Sequence, residues 1–110
     1  TDGENYKILN SAQDHKRIFD NDKGPNTGGM GAYCPAPLFE KKLRDKVENQ
    51  IIKPTISGMQ SEGHPYKGFL YVGIMISDGN PYVIEYNARL GDPESQVLFP
   101  LCIYVPLIVI

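Results

Sequence analysis

Three polar residues at alternate positions, Glu85, Asn87 and Arg89, are the part of this sequence best suited to chemistry. On an extended strand such residues share one face, with neighbours roughly 6.6–7 Å apart. A carboxylate and an amide oxygen are hard ligands of the kind that Mg²⁺ prefers, with water and phosphate completing its shell. A nearby guanidinium could stabilise negative charge beside the metal. The pattern predicts a metal–phosphate site, although an ordinary solvated strand face would have the same pattern.

The residues around this strand predict how it is held. The apolar side chains on its opposite face are expected to pack into the protein: Tyr82, Ile84 and Tyr86. After the strand, Asp92 is a good helix N-cap and Pro93 a good first helical residue. The polar strand is therefore predicted to turn into a helix N-terminus, a position that favours anions.

The run Arg-Leu-Gly-Asp-Pro-Glu-Ser-Gln-Val, residues 89–97, resembles the signature of glycinamide ribonucleotide synthetase, also called phosphoribosylamine–glycine ligase. That family belongs to the ATP-grasp superfamily. Further runs are similar to the family in its order and at about its spacing: Gln13–Arg17, Gly24–Tyr33, Lys53–Met59 and Gly68–Met75. The resemblance covers nearly the whole chain, from Asp2 to about Leu101.

The resemblance implies an ATP-dependent ligase of de novo purine biosynthesis that joins glycine to 5-phosphoribosylamine through a glycyl phosphate. ATP would be a substrate, and Mg²⁺ or Mn²⁺ would be the cofactor. Glu85 and Asn87 would hold the metal ion against the ATP phosphates. Arg89 would be the catalytic residue that stabilises charge on the transferring phosphoryl group. No side chain is expected to act as a nucleophile. Many ATP-grasp enzymes have an additional metal-binding acid on the strand that corresponds to Leu70–Ile76. This strand has no acid, and the ligase family lacks it too.

The remaining candidate residues are assigned to substrate binding. Lys16 or Arg17 could pair with the ribose 5-phosphate, and Asp14 could receive the ammonium group of glycine. The glycine-rich segment 24–31 would shape the site for both substrates through backbone N–H groups, and Asp92 could orient Arg89 or the turn. The substrate-binding residues of the segment are Asn26, Thr27, Gly28 and Gly29. A solvated charged turn and a plain surface turn are the simpler interpretations of these two regions.

Composition limits the class of protein. At 110 residues and a formal charge of −2, the chain is at most one small domain and has no basic run that would favour nucleic acid. Cys34 and Cys102 lack the spacing of a zinc site or a disulfide framework, so a reduced, cytoplasmic setting is expected. The polar start lacks the apolar core of a signal peptide, and the apolar end is too short and too rich in proline for a membrane helix.

The pattern along the chain predicts an α+β fold, an antiparallel sheet with packed helices. A first strand at Tyr6–Leu9, a long turn-rich loop from Ser11 to Leu38 and a helix from Phe39 to Glu62, split near Lys53 by Pro54, are expected. A hairpin follows, with strands at 68–76 and 82–87 and a turn at 78–79, and then a helix from Pro93.

The resemblance identifies residues 1–110 as the second, C-terminal lobe of an ATP-grasp domain, with an atypical apolar tail at 102–110. The first lobe and the N-terminal domain of the same polypeptide would be its partners, and no membrane partner is expected. Two alternatives remain: another ATP-grasp carboxylate–amine ligase, and an isolated binding fragment without turnover.

Overall fold

The structure is a computed structural model that describes residues 1–102. The chain divides into two compact units, which are described separately: Thr1–Leu9 with Pro37–Leu90, and Asn10–Ala36 with Gly91–Ile110. Helices and antiparallel strand pairs make up both units, so the predicted α+β class is confirmed. The predicted tail at 102–110 lies outside the described residues from position 103 onward.

The first unit contains a nearly continuous helical segment. Helix α1 (Lys41–Val47) runs into a π-helical turn (Glu48–Ile52) and then into helix α2 (Lys53–Ser61). Its buried apolar residues are Val47, Ile51 and Ile56. The predicted division near Lys53 is present as the π-helical turn. Pro54 has no N–H to donate to the preceding turn, and this explains why the regular α-helix restarts only just before it.

Helix α2 ends where the sequence predicts, through a glycine C-cap. Gly63 has φ +79°, and its N–H donates to the carbonyl of Gln60 at 3.1 Å. The N–H of His64 donates to the carbonyl of Met59 at 2.9 Å. These two bonds form a Schellman motif, which satisfies the last carbonyls of the helix.

The hairpin of the first unit is also confirmed. Strand β3 (Tyr71–Ser77) pairs antiparallel with strand β4 (Asn80–Asn87). Asp78 and Gly79 have φ +50° and +69°, as a two-residue hairpin turn of type I′ requires. Lys46 of α1 donates from Nζ to the carbonyl oxygen of Gly79 at 2.6 Å, so the helix holds the turn.

A β-bulge interrupts the pairing in the middle of the hairpin. Gly73 lies opposite Glu85, but Ile74 lies opposite Val83, so Ile84 is an extra residue on β4. The bulge breaks the strict alternation of side chains between residues 82 and 86. Alternate residues of β4 therefore do not all lie on one face of the strand, as the sequence pattern had suggested.

The prediction that Tyr82, Ile84 and Tyr86 pack into the protein is wrong for this unit. Their exposed fractions are 57%, 62% and 45%. The bulge at Ile84 disrupts their common face, so the three side chains no longer point to one side of the strand. Tyr86 still reaches helix α2, where its hydroxyl lies 2.9 Å from Oγ1 of Thr55.

The second unit differs most from the sequence prediction. The expected loop 11–38 is a hairpin of strands β1 (Gln13–Phe19) and β2 (Lys23–Tyr33), followed in this unit by the short helix α3 (Glu94–Leu98). Asn21 and Asp22 adopt positive φ and turn the chain between the strands. Asn and Asp tolerate this conformation, so Asp20-Asn21-Asp22 was the overlooked turn signal.

Two further corrections concern the strands. Tyr6–Leu9 is not a strand, because no neighbouring segment supplies a hydrogen-bonding ladder for it. The single antiparallel sheet is wrong as well, since β1–β2 and β3–β4 form separate two-stranded sheets. Among residues 1–102, no helix is both long enough and apolar enough to cross a membrane.

Two glycines of α2 give a matched stability test. Gly63→Ala should destabilise the chain by about 1–2 kcal/mol, because a Cβ disfavours the left-handed C-cap. Gly58→Ala, inside α2 with open space at the Cβ position, should instead stabilise it by roughly 0.5–1 kcal/mol. Urea unfolding followed by helical circular dichroism measures both changes. Equal shifts in the same direction would contradict the assigned helix end.

Candidate metal and substrate sites

The side chains of Glu85 and Asn87 lie together on strand β4. Asn87 donates from Nδ2 to Oε1 of Glu85 at 3.1 Å, so the two side chains share one side of the strand, as the spacing predicted. Both lie beyond the bulge, where normal alternation resumes. Glu85 is exposed and Asn87 half-buried, which leaves their oxygens accessible to a ligand.

These two residues fit a magnesium ion that shares its coordination with phosphate and water. Within residues 1–102, no three His, Cys, Asp or Glu side chains lie close enough to form a metal cluster. One carboxylate and one amide cannot form a complete protein cage. They match the usual Mg²⁺ site, in which one or two protein oxygens are supplemented by substrate phosphates and water.

Arg89 does not continue the face of the strand. Strand β4 ends at Asn87, and Arg89 lies in the bend that follows. Its Nη1 donates to the adjacent carbonyl oxygen of Leu90 at 2.9 Å. The expectation that three residues share one strand face therefore holds for two of them, because the strand ends before the third.

Gly73 is a residue of this site that the sequence prediction missed. It is buried in β3 directly opposite Glu85, and a Cβ on Gly73 would lie 3.0 Å from Cγ of Glu85. A glycine inside an otherwise apolar strand commonly marks a bulge or a close approach. That signal was present in the sequence, between Val72 and Ile74.

In the second unit, Asp14 is an acid whose two carboxylate oxygens are buried and unsatisfied. Its side chain is only 9% exposed, and neither carboxylate oxygen has a hydrogen-bond partner among the described residues. Nζ of Lys16 lies 3.6 Å from Oδ2, a distance that allows charge attraction but exceeds a hydrogen bond. Buried polar groups are nearly always hydrogen-bonded, so this carboxylate is suited to accept from a ligand.

The neighbouring Arg17 is engaged within its own hairpin. Its Nη1 donates to the carbonyl oxygen of Gly24 at 2.6 Å. Asn26 is its exposed partner in the opposite strand. Lys16 has about half of its side chain exposed, so its ammonium group is open to a phosphate group.

The glycine-rich segment lies on strand β2 and is not the loop that the sequence predicted. Oγ1 of Thr27 accepts from the N–H of Gly29 at 3.2 Å and donates to the carbonyl oxygen of Lys16 at 2.8 Å. Gly29 has φ +136°, and a Cβ there would lie 3.0 Å from Cδ of Pro93. Gly28 has open space instead. The same Cβ on Gly29 would lie 3.6 Å from Oδ1 of Asp14. Within this unit, Gly29 is therefore next to both Pro93 and Asp14.

Asp92 does not cap the helix, contrary to the sequence prediction. Pro93 occupies the N-cap position of α3, and the helix begins at Glu94. Oδ1 of Asp92 accepts a hydrogen bond from Nε2 of Gln96 at 2.7 Å, so its side chain is directed to the helix side chains and not to the backbone N–H groups. A helix of five residues also provides little dipole for an anion.

The Cys34 thiol is not activated as a nucleophile. Burial raises the pKa of the Cys34 thiol, and the proximity of Cys102 raises it further. A raised pKa lowers the thiolate fraction at neutral pH and makes the thiol less reactive.

Comparison with known proteins identifies the family. The model of the phosphoribosylglycinamide synthetase ATP-grasp (A) domain matches residues 1–95. A phosphoribosylamine–glycine ligase from Chlorobaculum tepidum is 59% identical over 101 residues, which cover 92% of this chain and 24% of that protein. The trifunctional purine biosynthetic protein adenosine-3 of Bos taurus is 55% identical, over 92% of this chain and 10% of that protein.

A solved structure has the same fold. The crystal structure of a phosphoribosylamine–glycine ligase from Thermotoga maritima superposes with a TM-score of 0.79 at 44% identity, covering 93% of this chain and 26% of that one. The fold and the family match are those of an ATP-grasp protein. Within that class, the chain belongs to the phosphoribosylglycinamide synthetase family. It spans about a quarter of the length of the ligases that it matches.

Adjacent glycines of β2 should respond differently to substitution. Gly29→Ala should destabilise the chain by about 1–3 kcal/mol, because an L-residue is strained at its φ and its Cβ would press on Pro93. Gly28→Ala should change stability by less than about 0.5 kcal/mol. Urea unfolding of both variants measures the difference, and equal destabilisation would mean that β2 does not approach Pro93 as described.

Proposed function

We propose that this chain is the C-terminal lobe of the ATP-grasp domain of a phosphoribosylamine–glycine ligase. The observation that carries the proposal is the Glu85–Asn87 pair, with its side-chain contact of 3.1 Å, in a chain of this family. The reaction is the ATP-dependent union of glycine and 5-phosphoribosylamine to give glycinamide ribonucleotide, ADP and phosphate. The cytoplasmic location expected from cysteine usage stays a prediction.

The proposed chemistry needs positioning more than covalent help from the protein. The glycine carboxylate attacks the γ-phosphorus of ATP and releases ADP, which leaves a glycyl phosphate. The amine of phosphoribosylamine then attacks the acyl carbon, loses a proton and expels phosphate. Fixed geometry and neutralised charge supply most of the rate enhancement in phosphoryl transfer.

Glu85 and Asn87 are the residues that would hold the divalent ion, Mg²⁺ or Mn²⁺. The bound ion would neutralise charge on the ATP phosphates. The negative Glu85 carboxylate would hold the ion, and the Asn87 amide would present its oxygen once the ion replaces the hydrogen bond between the two side chains. Arg89, exposed in the bend after β4, would provide positive charge for the transferring phosphoryl group.

The second unit would bind the two substrates that are joined. Asp14 would accept the ammonium group of glycine, because its buried carboxylate has unused acceptor capacity. Lys16, with Arg17 beside it, would attract the ribose 5-phosphate. The surrounding surface would come from β2 and the turn before α3, through Asn26, Thr27, Gly28, Gly29 and Asp92.

The remainder of the polypeptide would complete the enzyme. The relatives are about four times longer than the matched segment, and Tyr82 and Ile84 are left exposed on β4. The first ATP-grasp lobe and the N-terminal domain are the proposed partners of these surfaces. This chain alone should therefore have no turnover, because half of a nucleotide clamp cannot exclude water from the phosphates.

A chimeric ligase tests the proposed function directly. In it, the 101 matched residues of this chain replace the matching segment of the Chlorobaculum tepidum ligase. Phosphate release should require ATP, glycine and phosphoribosylamine with the chimeric ligase, and should be absent with this chain alone. A folded chimeric ligase that turns over another amine or acid in place of these substrates would indicate a different ATP-grasp ligase.

Substitution of Glu85 tests the metal role. Glu85→Gln in the chimeric ligase should lower kcat by about 10²–10³-fold, because a neutral amide holds a divalent ion poorly while the fold is kept. Tyr86→Phe is the matched control, since it changes the next residue, whose hydroxyl contacts Thr55. Steady-state kinetics compares the two. If Glu85→Gln had normal kinetics and Tyr86→Phe were inactive, the strand faces assigned to these two residues would have to be exchanged.

Substitution of Asp14 tests the glycine site. Asp14→Asn should raise KM for glycine roughly 10–100-fold, the loss expected for a charge-assisted hydrogen bond, while KM for ATP stays nearly constant. Asp45→Asn is the control, because the Asp45 carboxylate pairs with Lys41 on the surface of α1. A rise in KM for ATP alone would assign Asp14 to a different substrate.

A further inference from the structure

Gly73 lies beneath the proposed metal ligand. It is buried in the middle of β3 and is the register partner of Glu85 on β4. A Cβ on Gly73 would lie 3.0 Å from Cγ of Glu85 and 3.4 Å from Cε1 of Tyr71. The 3.0 Å contact is tighter than side chains normally accept, so an alanine would force Glu85 to move.

Backbone conformation does not explain the glycine. The positive-φ residues of the described chain do not include Gly73, and its place in a paired strand is open to any L-residue. Glycine weakens a strand interior, because it loses more conformational entropy than other residues and has no side chain to pack. The close approach of Glu85 is thus the local feature that a side chain at position 73 would disturb.

We infer that Gly73 is a positioning residue for the metal ligand Glu85, an inference that rests on the proposed function. Its missing side chain leaves space over β3 into which the Cγ methylene of Glu85 fits. This placement holds the Glu85 carboxylate beside the Asn87 amide, 3.1 Å away. A Cβ at position 73 would push Cγ of Glu85 aside by a few tenths of an ångström, and the carboxylate oxygens, which lie beyond Cγ, would swing by more than that. Metal ligands require placement to within roughly 0.5 Å.

Mn²⁺ binding to the chimeric ligase in the presence of ADP measures the effect without turnover. Gly73→Ala should raise the Kd for Mn²⁺ by about 10–100-fold, as is typical when support for a metal ligand is lost. The Mg²⁺ concentration for half-maximal turnover should rise by a similar factor, with a smaller change in kcat at saturating Mg²⁺. Gly58→Ala is the control glycine, because open space surrounds its Cβ position, and its Mn²⁺ affinity should be unchanged.

A double-variant cycle separates positioning from general damage to the strand. Glu85→Ala removes the Cγ atom with which a Cβ at position 73 would collide. In the Glu85→Ala background, Gly73→Ala should cause no further loss of Mn²⁺ affinity. It should also lower Tm less there than it does when Glu85 is present, by a difference of about 2 °C or more. This comparison holds even if Gly73→Ala alone folds poorly.

The outcomes are distinguishable. If Glu85→Ala weakens Mn²⁺ binding but Gly73→Ala leaves it unchanged, the positioning role is overturned and the proposed function stands. If both variants leave Mn²⁺ binding unchanged, the proposed metal role of Glu85 is overturned first. A loss of Tm from Gly73→Ala that is equal in both backgrounds, without a shift in Mn²⁺ affinity, would make Gly73 a purely structural residue.

Discussion

The antiparallel register of β3 with β4 is the constraint on which the candidate metal site depends. The Asp78–Gly79 turn fixes that register, and Lys46 anchors the turn to helix α1. The bulge then sets Glu85 opposite Gly73. Because side chains alternate along a strand, a slip by one residue would move the carboxylate to the other face. The geometry of the site therefore originates in a turn at the far end of the hairpin.

In the second unit, the Asp14 carboxylate is held without hydrogen bonds, which limits the stability of its hairpin. Asp14 is nearly buried, and burial of an unpaired carboxylate costs stability. Attraction from Lys16 offsets only part of this cost. A bound ammonium group would supply the missing donors, so binding would relieve a cost that the free hairpin bears. By contrast, the side chain of Thr27 in the same hairpin has two backbone partners.

Local signals in the sequence were sufficient where a single residue determines the backbone. The glycine C-cap of α2, the Asp-Gly hairpin turn and the pairing of Glu85 with Asn87 follow from φ preferences and strand periodicity. The sequence did not predict the structure where it depends on pairing between separate segments. The glycine-rich part of β2 has little strand propensity of its own and is ordered by β1. The bulge at Ile84 likewise depends on the pairing of β4 with β3, which periodicity does not reveal.

The position of the divalent ion is the decisive observation for the proposed Glu85–Asn87 site. A crystal structure of the chimeric ligase with Mn²⁺ and a non-hydrolysable ATP analogue would locate the ion by its anomalous scattering. We expect an anomalous peak about 2–2.5 Å from a Glu85 carboxylate oxygen and from the Asn87 amide oxygen. A peak bound to other side chains, with both of these oxygens more than about 4 Å away, would mean that Glu85 and Asn87 do not hold the ion.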